Sequence, residues 1–186
     1  MKPIAEAVSL PLSIQQPRAM ERAFELKAGS DTVATLEFRS SFGSLAVARD
    51  ATSAWTFKRV GFFSPRATAR VEGTLPDLAV FTPRWTGREG ELALAGGETL
   101  RFAAANFWGT RFALGDAGGR TLVTFGPELD VHRFSDLFRT QALVSVDPSA
   151  ASRPDLALLV LFGWYLVVLQ HEDAAGGAAA TASVAT

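Results

Sequence analysis

Four basic residues within a thirteen-residue stretch, Lys58, Arg59, Arg66 and Arg70, enclose Phe62 and Phe63 and form the densest basic stretch in the sequence. Cations beside aromatic rings suit an anionic lipid surface: the charges meet head groups and the rings settle at the interface. These four are the candidate lipid- or anion-binding residues. The plainer reading is a solvated strand pair and a loop whose aromatics pack on the fold. His132 and His171 are the only histidines. His132 lies near Glu128, Asp130 and Asp136, and one imidazole with scattered carboxylates is a thin donor set for a metal. Neither a metal nor another cofactor is expected. Ser41 and Ser44 flank Gly43, but G-x-S-x-G is absent, as are G-x-G-x-x-G and G-x-x-x-x-G-K-[ST]. Glu89 and Glu91 lie at a turn and read as solvated. Trp55, Trp85, Trp108 and Trp164 read as core or girdle residues. No catalytic constellation emerges, and the expectation is a protein without enzymatic activity.

Composition narrows the partners. The 186 residues carry a net charge of -1, which argues against generic nucleic-acid binding. The charge is uneven: residues 1–70 hold ten Lys/Arg against six Asp/Glu, and the remainder holds eight against thirteen. There is no cysteine, so disulfides and thiolate chemistry are excluded. The first residues, MKPIAEAVSLPLSIQQP, make a poor signal peptide, because Glu6 and Pro11 interrupt any apolar run. The expected location is the cytoplasm, with peripheral attachment to a membrane left open.

The elements that must position these residues are mostly strands. Thr32 to Arg39 alternates apolar and polar residues, and Phe24 to Lys27 precedes it across the turn Ala28 to Asp31. Leu45 to Arg49, Ala54 to Val60, Ala67 to Glu72 and Leu78 to Thr82 continue the series. Glu91 to Leu94 and Thr99 to Ala103 read as a hairpin about Gly96-Gly97. Thr110 to Leu114 and Thr121 to Phe125 read as another about residues 115–119. Val131 to Phe134 and Thr140 to Val146 follow, with a short helical turn at Asp136 to Arg139. About eleven or twelve short strands are the pattern of an all-β sandwich or barrel.

One segment differs. Leu156 to Leu169 reads LALLVLFGWYLVVL, fourteen residues without a charge. Ser152 and Asp155 resemble a capping box and Pro154 suits a first helical turn, so the helix is placed over 154–172. His171 would then favour its C-terminal dipole. A bilayer span needs about 20 apolar residues, whereas runs of 10–14 are more often core helices. Arg153 and Asp155 before the run, and Glu172 and Asp173 after it, oppose extension into lipid. A helix apolar on every side must be covered on every side. Around eleven or more strands leave room for a central helix. The expected fold is therefore mainly β: a closed antiparallel barrel of about 12 strands enclosing a hydrophobic C-terminal α-helix. Residues 1–20 are an extension or first strand, 21–172 the barrel, and 173–186 a disordered tail.

Leu100 to Phe125, LRFAAANFWGTRFALGDAGGRTLVTF, joins the aromatic pair Phe107-Trp108, a strand, the D-x-x-G turn Asp116 to Gly119 and a second strand. With the stretch FELKAGSDTVATLEFRSSFGSLAVARD and the terminal apolar run, it resembles Tubby C-terminal domains, LURP-one-related proteins and phospholipid scramblases, small bacterial members in particular. The resemblance spans roughly residues 20–172 and implies the barrel threaded by its helix. Its functional residues do not carry over. The Tubby lysine and arginine two apart on one strand have no counterpart, since Lys58 and Arg59 are adjacent and point to opposite faces. The acidic calcium segment of scramblases is also missing. The expected function is a non-enzymatic binding or scaffold module, with anionic lipid head groups or a protein as partner. Two alternatives stand beside it: a small-molecule-binding or catalytic barrel with a cleft at one mouth, and a tail-anchored protein that uses the apolar run.

Overall fold

A computed structural model describes residues 1–18, 21–61, 63–84, 89–127 and 142–184, with side chains as far as residue 176. A one-turn helix α1 (Ile4–Ala7) precedes twelve strands. They are β1 (Leu12–Gln15), β2 (Ala23–Ala28), β3 (Asp31–Phe38), β4 (Ala46–Asp50), β5 (Ala54–Val60), β6 (Arg66–Val71), β7 (Asp77–Pro83), β8 (Glu89–Leu94), β9 (Thr99–Ala104), β10 (Phe112–Gly115), β11 (Thr121–Pro127) and β12 (Ala142–Val146). Helix α2 (Leu156–Val184) ends the chain. Each strand pairs antiparallel with the next, and β1 pairs with β12, so the sheet closes into a barrel. Closure leaves no free strand edge. Odd strands run one way and even strands the other. This gives the barrel a lower end, where α2 starts, and an upper end, where it emerges.

The inside of the wall is complementary to α2. Phe162 and Tyr165 reach toward β3–β5, where the rings of Phe38 and Phe57 lie 5.0–5.6 Å away. They fit because the neighbouring inward positions Ala46, Ala48, Ala67 and Ala69 are small and fully buried. On the opposite wall the large residues belong to the strands. There Phe125 and Leu114 lie against Gly163, the one position in the apolar run with no side chain to obstruct them. Large residues on one partner meet small ones on the other, as a close-packed interior requires.

The helix differs from expectation at both ends. It begins at Leu156, where the Asp155 carbonyl accepts the first helical bond from the Leu159 amide at 2.9 Å, while the Asp155 carboxylate accepts from the Arg153 guanidinium at 2.8–2.9 Å. It also continues through the segment expected to be a disordered tail, as far as Val184. That segment is rich in alanine, the best helix former, and Gly176-Gly177 do not outweigh it. His171 consequently lies well before the last turn of the helix and not at its C-terminal end. The strand expected over Val131 to Phe134 and the turn at Asp136 to Arg139 fall outside the described residues. At the lower end α1 plugs the barrel with buried Ile4 and Ala7.

Candidate functional site

The register of β5 and β6 decides what the four candidate basic residues can do together. Lys58 is opposite Thr68, Val60 opposite Arg66, and Thr56 opposite Arg70. Lys58, Arg66 and Arg70 therefore face outward, and Arg59 faces inward. Lys58 and Arg66 are diagonal neighbours beside the upper end, within reach of one ligand. Neither makes an ion pair among the described residues. Arg70 lies four residues further down the strand, roughly 13 Å from Arg66, where its Nε donates to Asp77 at 2.6 Å. Arg59 turns to the helix and forks onto Asp173, Nη1 to Oδ1 at 2.9 Å and Nη2 to Oδ2 at 2.6 Å. The stretch thus divides: Lys58 and Arg66 share a surface, while Arg59 and Arg70 have carboxylate partners elsewhere. Of the two interleaved aromatics, Phe63 is exposed in the β5–β6 loop, and Phe62 falls outside the described residues.

That loop belongs to a larger arrangement. Among the described residues four aromatic side chains are exposed: Phe42 (103%), Phe63 (95%), Phe107 (85%) and Trp108 (70%). Their loops join β3 to β4, β5 to β6 and β9 to β10, and all three connections cross the upper end. Aliphatic exposure is found elsewhere too, as at Leu75 below, but the aromatics gather at one mouth. Arg18, Arg22, Arg39, Arg66, Arg84 and Arg111 stand in or beside the loops of the same end.

Two of these loops are fixed from within. Arg22 Nη1 donates to the carbonyls of Ser40 at 2.9 Å, Ser41 at 3.4 Å and Gly43 at 2.6 Å. Its guanidinium lies 3.8 Å over the Phe38 ring. The Ser40 hydroxyl accepts from the Gly43 amide, and Tyr165 Oη donates to the Ser44 carbonyl at 2.7 Å. Burial holds the Tyr165 phenol well above its ordinary pKa, so it stays a donor. In the β9–β10 loop Asn106 Oδ1 accepts from the amides of Thr110 and Arg111, and Gly109 supplies a positive φ of 65°. Phe107 and Trp108 meet edge to face at its tip, 5.4 Å apart. Fixed loops that display bare rings lose little conformational freedom when those rings find a partner.

The rim is completed by α2. Glu172 pairs with Arg22 at 2.6 Å and Asp173 with Arg59 at 2.6 Å. The hydrogen bond to Asp173 raises the Arg59 pKa above the usual arginine value. The residue preceding Glu172, His171, meets Phe112 edge to face, 5.8 Å between centroids. Burial lowers its pKa, partly countered by a hydrogen bond to the Gly109 backbone.

No family model, curated protein or solved structure matches this chain. The site is therefore read from its own geometry. A groove of about 240 Å³ lies on the outer wall, lined by residues of β2, β3 and the loop before β2, among them Arg18, Glu21 and Glu37. It is smaller than the roughly 300–1,000 Å³ of small-molecule sites. Among the described residues no three His, Cys, Asp or Glu side chains gather to hold a metal. His132 and its neighbouring carboxylates fall outside those residues. Sequence reasoning missed Phe42, Arg22 and Tyr165. Phe42 left a signal: a phenylalanine inside the polar turn Ser40 to Ser44 has no core to reach. Arg22 and Tyr165 left none, because their partners are 18 to 150 residues away in sequence.

Proposed function

We propose that this protein is a non-enzymatic binding module that docks the upper end of its barrel onto an anionic lipid surface. The carrying observation is the placement of Phe42, Phe63, Phe107 and Trp108 at one mouth, beside Lys58 and Arg66, which make no ion pair among the described residues. Aromatic side chains favour the head-group region, and basic side chains near an anionic leaflet each add about 1 kcal/mol. Convex, separated tips suit a fluid surface better than a peptide, which needs a continuous groove. The location that follows is peripheral, at a membrane. A closed twelve-stranded barrel threaded by its C-terminal helix also supports kinship with the Tubby-like, LURP-one-related and scramblase proteins, which we propose on architecture alone.

The test is co-sedimentation with vesicles of phosphatidylcholine alone and of phosphatidylcholine with phosphatidylserine. Binding to the anionic vesicles is expected to weaken by roughly tenfold or more in K58Q/R66Q, and to fall further in F42S/W108S. Equal binding of wild type and both variants would refute the reading.

A further inference from the structure

Two arginines at the upper rim already hold anions, and those anions are the chain's own. Arg59 presents the flat edge of its guanidinium to Asp173 through two parallel hydrogen bonds. Arg22 gives Nη2 to Glu172 at 2.8 Å, and its Nε, buried, has no acceptor among the described residues. The Arg59 fork and the Arg22 Nη2 group converge on one turn of α2. Paired guanidinium groups of this kind match the oxygens of a phosphate as well as those of a carboxylate. The carboxylates are easily displaced by comparison: their side chains are 43% and 55% exposed, and ion pairs so open to water are weak. Residues 172 and 173 also lie well inside α2, so the negative end of the helix dipole, felt only in its last turn, does not repel an anion there.

We infer that Arg59 and Arg22 form an anion site for a phosphate group, and that Glu172 and Asp173 are its internal competitors. The inference rests on the reading of the upper end as a contact for anionic lipid and adds its regulation: the site opens to ligand when the two carboxylates let go. A phosphorylated head group and free phosphate share this chemistry.

The test compares wild type, D173N, E172Q/D173N and E172Q/D173N/R59Q. Each is titrated with vesicles containing phosphatidic acid and, separately, with inorganic phosphate. D173N is expected to bind at least about threefold tighter and the double variant about tenfold tighter, with R59Q returning affinity to the wild-type level or below. A gain with vesicles alone assigns the site to a head group, and a gain with both assigns it to phosphate in general; either supports the inference. E21Q/E37Q removes the same charge at the same end without touching these arginines. An equal gain there, or no gain in E172Q/D173N, overturns it. Wild-type binding to phosphatidylserine vesicles without a gain in the double variant would sink the inference and leave the proposed function standing. A gain in the double variant with no dependence on Phe42 or Trp108 would do the reverse.

Discussion

At Gly163 the helix backbone itself meets the barrel wall. A Cβ built there would lie 2.6 Å from Phe125 Cζ and 3.1 Å from Leu114 Cδ1, and both of those side chains are fully buried. On a free helix Gly→Ala gains about 1 kcal/mol. Here overpacking reverses the sign, and G163A is expected to cost about 1–3 kcal/mol in urea unfolding. G176A, where nothing lies within 4 Å, is expected to leave stability unchanged or raise it. Equal effects at both positions would show that the helix does not sit against Phe125. His171 supplies a second test at this scale. Its folded pKa is lowered by burial, so the unfolded chain takes up a proton first as pH falls. The stability tied to its neutral form is complete above its unfolded value of about 6.5 and declines as pH drops below that. The melting temperature of wild type is expected to fall between pH 8 and 5.5 by more than that of H171Q.

Among the elements, the loops carry the proposed function and the strands only place them. Eleven of the strands were legible because alternation survives burial on one face, and β5 was legible to the residue: Trp55 and Phe57 point in, Thr56 and Lys58 out. β1 was legible only as one of two readings of residues 1–20, an extension or a first strand, because LSIQ lies between two prolines and has only two inward residues, Leu12 and Ile14. The pinned conformation of residues 40–44 was not legible, since it depends on Arg22 from another loop and Tyr165 from the helix. If those bonds fix the loop, Y165F loosens it at a cost of about 1 kcal/mol without disturbing the ring, which stays stacked on Phe38. Limited proteolysis is expected to cut Y165F near Phe42 several times faster than wild type. Equal cutting rates would mean that Arg22 alone holds the loop.

For the whole molecule, the helix and the closure of the barrel depend on each other. The apolar run is long and apolar enough to cross a membrane, counted as Leu156–Gly176, yet most of it is buried here by the strands. Its flanking charges made that burial legible in advance; they now form ion pairs with both mouths, Arg153 with Glu98 below and Asp173 with Arg59 above. The seam that completes the cover is narrow, for β1 meets β12 over three residues, Leu12↔Val144, Ser13↔Leu143 and Ile14↔Ala142. A chain starting at residue 17 would lose β1 together with the α1 plug. It would leave edges on β2 and β12 and expose one side of α2 to water. Such a chain is expected to aggregate or bind a hydrophobic dye, while addition of a peptide covering residues 1–16 restores soluble barrel. A truncated chain that stays monomeric, unstained and as stable as wild type would mean that eleven strands cover the helix unaided. The helix would then owe its burial to the remaining wall, and closure at β1 would not be what keeps it from solvent.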